Sequence, residues 1–200
     1  MDEDYVQIQV SLDSTSAGLR NIGEINQYKD VRRKDLERNL DGMVRRHKTL
    51  PPYVIAQGSY SDLLKEARQL YIEGKDYSCV AMCGITAERI AKDILCTLVK
   101  FHYDGKSNYA NEKQAKYLFK IAFTDVSHLL YESKMIDNEV KKAFIKIGNL
   151  RNIYAHGSGE DKENDSKEAI KNLHKIIDGT ISLYKHFKLE EGKFVKKKNN

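Results

Sequence analysis

Apolar positions recur at three-and-four spacing through most of this chain, the period of helices that bury one face. From about Ala17 to Lys48 the pattern is sparse and highly charged, with Ile22, Ile25, Val31, Leu36, Leu40 and Val44 predicting one or two amphipathic helices. Pro51-Pro52 interrupts regular structure and marks the clearest boundary in the chain. Beyond it, Ser61 or Asp62 is placed to cap a helix carrying Leu63, Leu64, Ala67, Leu70, Tyr71 and Ile72 and ending near Gly74. Asp76 or Ser78 caps a longer one running to about Val99, with the stripe Val80, Cys83 or Gly84, Ala87, Ala91, Ile94 and Leu98. Small side chains at Ala81, Cys83, Gly84 and Ala87 let a second helix approach closely, which makes this the expected central helix.

Helical spacing resumes from Ala115 to Tyr131 through Leu118, Ile121, Val126, Leu129 and Leu130. A helix starting near Asp137 carries Val140, Ala143, Phe144, Ile147, Leu150 and Tyr154 on one face and stops at Gly157-Ser158-Gly159. Ala169, Ile170, Leu173, Ile176, Ile177, Ile181, Leu183 and Tyr184 form the stripe of a last helix. Two stretches depart from this period. Tyr5 to Val10 alternates apolar and polar residues, as a half-buried strand does, and His102 to Lys113 is polar around an Asp104-Gly105 turn signal. The expectation is an all-α fold: a helical bundle over residues 51–190, an N-terminal extension over 1–50 with a short strand and amphipathic helices, and a flexible basic tail over 191–200.

Composition narrows the class. Charged residues make up 32% and apolar ones 40% of 200 residues, enough to build one sizeable core without disulfide staples. The net charge of +5, from 34 basic against 29 acidic side chains, is too small to imply nucleic-acid binding by itself, and part of it lies in the terminal lysines. Cys79, Cys83 and Cys96 are odd in number and sit in one helical pattern, predicting reduced thiols packed as small hydrophobes. No zinc-ligand spacing, phosphate-cradling glycine loop, His-Glu-x-x-His motif or serine-nucleophile elbow is present, so neither a metal nor a cofactor is expected. No basic leader followed by an apolar run, and no apolar run approaching the ~20 residues that span a bilayer, predicts cytoplasmic localisation without membrane contact.

The segment carrying distinctive chemistry is Gly148-Asn149-Leu150-Arg151-Asn152-Ile153-Tyr154-Ala155-His156-Gly157. Arg offers a permanently charged fork of donors that fits phosphate oxygens, and His is the side chain that titrates near neutrality. At 100° per residue Asn152 and His156 share one side of the helix, while Arg151 is turned toward the apolar stripe. Convergence of Arg and His on one phosphate therefore needs Arg to reach around the helix end, or two copies of the helix facing each other across a two-fold axis, a face that Ile145 and Ile153 would share. An Arg beside an apolar stripe seeks a carboxylate. Glu88, flanking the stripe of the central helix, is the candidate, with an ordinary solvent-facing Glu as the alternative.

These residues resemble the HEPN superfamily, whose ribonuclease motif is Arg, commonly followed by a polar residue, then His after four to six intervening positions in all; Arg151-Asn152-Ile153-Tyr154-Ala155-His156 fits with four. Leu50-Pro51-Pro52, the Glu66-Ala67 helix, Tyr77-Ser78-Cys79-Val80-Ala81, Ala87-Glu88 and Ser166-Lys167-Glu168-Ala169 are similar to the branch often attached to restriction or defence proteins. The resemblance implies a HEPN-like bundle that homodimerises so that two Arg-His motifs line a cleft. It also implies a metal-independent endoribonuclease leaving 2′,3′-cyclic phosphate and 5′-hydroxyl ends, with an RNA substrate and a defence-system or antitoxin protein as further partner. His156 is then the general acid or base, Arg151 stabilises charge on the phosphate, Asn152 positions phosphate or His, and Glu88 supports Arg151. The toxin branch has a Tyr two residues after its His as a modification target; Ser158 stands there in this chain.

The alternative function is a non-catalytic dimerisation module that binds RNA, a nucleotide or a partner protein, with Asn152 and His156 capping the helix end. His47, His102, His128, His174 and His186 are expected at surfaces or interfaces. The twelve Tyr side chains suit either base stacking or partly buried packing.

Overall fold

The computed structural model describes residues 22–53, 55, 60–103, 105–157, 159, 161–182, 187–190 and 193–196. The expected strand at Tyr5–Val10 lies outside them. The chain divides into two compact units, Met1–Asp41 and Gly42–Asn200, with the division inside the first helix. That helix, α1 (Ile22–Thr49), is a single one. Leu36 and Leu40, in the sparse apolar pattern of the first unit, are exposed.

The second unit is all-α in class. Its helices are α2 (Ser61–Ile72), α3 (Asp76–Thr97), α4 (Glu112–Leu118), α5 (Phe123–Glu132), α6 (Asn138–Ala155) and α7 (Lys162–Gly179). Two small antiparallel hairpins accompany them, β1 (Lys100–Tyr103) with β2 (Lys106–Tyr109) and β3 (Phe187–Glu190) with β4 (Lys193–Lys196). The first occupies the polar stretch after α3, and Gly105, between its strands, stands at φ 73°. The second takes in four residues of the segment read as a basic tail. Among the described residues no helix is long and apolar enough to cross a membrane.

The central helix is α3, which packs against α2, α5, α6 and α7. Its buried face, Cys79, Val80, Cys83, Ala87, Ile90, Ala91, Ile94 and Leu95, meets Leu64 and Ala67 of α2, Phe144 and Ile147 of α6, and Leu173 and Ile177 of α7 in one continuous core. All three cysteines are free thiols. Cys79 donates to the Ala67 carbonyl and lies 4.0 Å from the Cys83 sulfur, and burial pushes the Cys83 thiol well above its ordinary range.

Four details differ from the sequence reading. Leu98 is exposed, because α3 stops at Thr97 and the core position passes to Val99 at the entry to β1. The helix expected over Ala115–Tyr131 is two: after Leu118 the chain makes short turns and passes through Ala122 in an extended conformation before α5 begins. The last helix ends at Gly179, so Ile181 falls beyond it, and Leu183 and Tyr184 lie outside the described residues. Asp76 makes no cap at the start of α3. Its carboxylate instead takes a two-pronged contact from Arg46 at 2.6 and 3.3 Å and accepts from Ser166 at 2.5 Å, tying the end of α1 to α3 and α7. A cap satisfies one or two backbone N–H groups, whereas a half-buried guanidinium requires a carboxylate.

His174, expected at a surface or an interface, is 4% exposed on α7. Arg68 reaches its Nε2 at 2.6 Å and donates also to the Pro51 carbonyl. Burial first, and the neighbouring guanidinium second, push its pKa from 6.5 down to about 4. The folded state therefore binds fewer protons than the unfolded chain between those values. His174 favours folding fully above pH 6.5, and this contribution falls away as pH drops toward 4, by on the order of 3 kcal/mol for the whole shift. Thermal unfolding at pH 7 and pH 4.5 checks this: wild type is expected to lose more stability between the two than His174→Phe, which has no group to titrate there.

Candidate active site

The Arg-Asn-His segment forms the last turn of α6. Asp137 caps the start of this helix by accepting from the Val140 backbone N–H at 2.9 Å, and the stripe Val140, Ala143, Phe144, Ile147, Leu150 and Tyr154 is buried as the spacing predicts. Burying that stripe fixes the rotation of the helix about its axis, which leaves Asn149, Asn152, Ile153 and His156 exposed along the opposite side.

Arg151 sits between the two faces. Its aliphatic stem lies against Gly84 of α3, where an added Cβ would come within 2.6 Å of the Arg Cδ and 3.0 Å of its Cβ and Cγ. One turn along α3, Glu88 accepts from the Arg151 guanidinium at 2.6 Å. One turn further, Lys92 donates to the other Glu88 oxygen at 2.5 Å and to the Phe119 carbonyl at 2.6 Å. Gly84, Glu88 and Lys92 thus follow one face at successive four-residue steps. Burial pulls the Glu88 carboxyl upward, but the hydrogen bonds and charges of Lys92 and Arg151 outweigh it and hold Glu88 below its ordinary range. The trio of one carboxylate and two cations carries a net charge of about +1 at neutral pH. Arg151 donates to Glu88 through Nη1 and keeps 39% of its side chain exposed. A guanidinium has five N–H donors, so its capacity for an oxyanion is not exhausted.

The end of α6 is held by two tyrosines whose hydrogen bonds the spacing along the chain does not reveal. Tyr77 of α3 donates to the Tyr154 carbonyl at 2.7 Å and packs edge-on against the Tyr154 ring. The Tyr154 hydroxyl donates to Asp165 of α7 at 3.0 Å, and burial together with Asp165 raises its pKa to about 12. Gly159 passes so close to the Tyr154 ring that a Cβ there would lie 2.6 to 2.9 Å from its carbons. His156 follows as the C-cap residue, and Gly157 at φ 74° turns the chain away. Among the described residues, neither the Asn152 amide nor the His156 imidazole has a side-chain hydrogen bond, so the capping role considered for them has no counterpart here.

The structure therefore brings Arg151 and Glu88 into contact and sets Asn152 and His156 on the exposed side of the same helix end. The Glu88 contact was legible from its place beside the stripe; the participation of Lys92 was not, because a Lys four residues after a Glu reads equally well as a surface pair. Among the described residues no group of three or more His, Cys, Asp or Glu side chains is arranged to hold a metal ion.

Two substitutions test this positioning by chemical denaturation. Gly84→Ala gains about 1 kcal/mol of helix propensity but overpacks against the Cβ of Arg151, an atom fixed to its own backbone, at about 1–3 kcal/mol. A net loss of about 1 kcal/mol is expected. Glu88→Gln leaves the 8%-exposed Lys92 without its carboxylate and is expected to cost about 2–3 kcal/mol. No family model, curated protein or solved structure matches the chain.

Proposed function

We propose that this chain is a HEPN-type, metal-independent endoribonuclease that acts as a homodimer, with a role in defence or stress response. The observation that carries the reading is the division of labour at the end of α6: Arg151 is positioned by Glu88, while Asn152 and His156 stand exposed and uncommitted one turn apart. His156 takes the proton from a ribose 2′-hydroxyl or returns one to the 5′-oxygen that leaves. Arg151 offers its remaining donors to the phosphate oxygens as charge grows on them. The positive surplus of the Glu88, Arg151 and Lys92 trio favours an anionic substrate at this spot. Attack by the 2′-oxygen on the adjacent phosphorus expels the 5′-oxygen, leaving a 2′,3′-cyclic phosphate and a 5′-hydroxyl.

A second copy supplies what one helix lacks. Arg151 and His156 lie five positions apart and diverge around the helix axis, and two helix ends that face each other bring a phosphate held by Arg151 of one protomer to the His156 of its partner. The exposed Ile153, between Asn152 and His156 in the sequence, gives that face an apolar contact.

Incubation of the purified protein with single-stranded RNA in the presence of a metal chelator tests the reading. Cleavage is expected in wild type and a fall of roughly 10²-fold or more in His156→Ala and in Arg151→Ala, with folding unchanged in the exposed His156 variant. Absence of cleavage, or cleavage indifferent to His156→Ala, overturns the catalytic reading. RNA binding that survives both substitutions would assign the chain to the non-catalytic module instead.

A further inference from the structure

A separate cavity of about 210 Å³ opens on residues from the end of α1, α2 and α7. Leu50, Pro51 and Ile170 give it apolar walls, and Thr49, Tyr71, Lys167, Lys171 and His174 bring polar groups to its lining, with the Thr49 and Tyr71 hydroxyls 3.2 Å apart and bonded to each other. Among the described residues no carboxylate lines it. Lys167, Ile170, Lys171 and His174 are spaced three, one and three residues apart, which puts them on one face of α7.

The two lysines are the uncommitted cations of this region. Arg46, beside Tyr71, is bound in two-pronged fashion to Asp76, and Arg68 is occupied by the Pro51 carbonyl and His174, with its guanidinium over the Tyr53 ring. Among the described residues Lys167 and Lys171 form no ion pair. His174 adds a second, independent sign of a missing ligand. A guanidinium can only donate, so Nε2 must accept from Arg68, and the ring proton sits on Nδ1. That Nδ1 is buried and, among the described residues, has no hydrogen-bond partner. A buried donor without an acceptor is an uncompensated desolvation, rare enough in folded proteins to require a cause.

We propose that this cavity binds a small carboxylic acid anion with an apolar body, its carboxylate accepting from Lys171 and from the His174 Nδ1–H while Lys167 adds a second positive charge. Lys171 and His174 are one helical turn apart, close enough for the two oxygens of one carboxylate to engage both. A dry cavity of roughly 150 Å³ admits benzene, so the present volume suits one ring or a branched aliphatic body with its carboxylate. Apolar walls and a neutral imidazole at the inner end disfavour a compact, heavily hydrated dianion such as phosphate, which would lose its water against too few donors.

Isothermal titration of the full chain with benzoate, benzamide and inorganic phosphate tests the assignment. Saturable benzoate binding is expected, at least tenfold tighter than benzamide, the uncharged molecule of the same shape. The double variant Lys167→Gln/Lys171→Gln changes only exposed side chains, so it keeps the fold, and it is expected to weaken benzoate tenfold or more without altering benzamide. In the nitrogen NMR spectrum of the imidazoles, the His174 Nδ1 signal moves on benzoate addition and the exposed His156 signals do not. Benzoate binding unaffected by the double variant, binding no tighter than that of benzamide, tighter binding of phosphate, or no saturable benzoate binding at all each overturns the proposal.

Discussion

The approach of Arg151 to the backbone of α3 at Gly84 is the constraint on which the rest of the arrangement depends. With any side chain at position 84 the stem of Arg151 could not lie where it does, and the guanidinium would miss Glu88 one turn on. Because α3 also touches α2, α5 and α7, the spacing set at this contact is passed to the whole core. The polar row Gly84, Glu88 and Lys92 borders the apolar face of the same helix, so one element both fills the interior and aims the cation of the candidate site.

Charged groups hold the second unit together at two places along α3, and in both a carboxylate serves more than one partner. Asp76 joins Arg46 and Ser166; Glu88 joins Arg151 and Lys92. Each partner comes from another turn or another element, so each carboxylate fixes relative positions that apolar contacts alone leave free to slide. Breaking one leaves a cation behind, which is why such pairs specify geometry more than they add stability. The tyrosine clamp at the end of α6 works by another route. Tyr77 and Tyr154 combine ring packing with hydrogen bonds to a carbonyl and a carboxylate, so the backbone beneath His156 is held while the imidazole itself has no side-chain partner among the described residues.

Much of this fold was legible in the sequence because helix faces announce themselves by period. The six-residue stripe of α6 and most of that of α3 are buried as read. What failed did so where local signals carried two meanings. Asp76 has the form of a helix cap but sits opposite an arginine thirty positions away, and nothing local reveals Arg46. His174 looked like one histidine among several; its burial depends on where Arg68 of another helix lies. The run from Ala115 to Tyr131 keeps its apolar spacing across a break, since Ile121 stays partly buried whether or not the helix is continuous. In the candidate site, Arg151 and Glu88 could be paired by their places beside two apolar stripes, whereas Lys92 and the Tyr77 clamp required the third dimension.

The thiols of Cys79 and Cys83 give the core a chemical property of its own. Both are wholly buried one turn apart on α3, out of the reach of oxidants and alkylating agents, and burial holds the Cys83 proton tightly. Cys96, nearer the surface, is what such reagents meet while the bundle stays closed. The inner pair acts as ordinary hydrophobic volume until α2 and α3 part, and at that moment two adjacent nucleophiles enter water together. Opening of the bundle is thus also a change in its redox character, and a molecule opened under oxidising conditions can be trapped there before its helices close again.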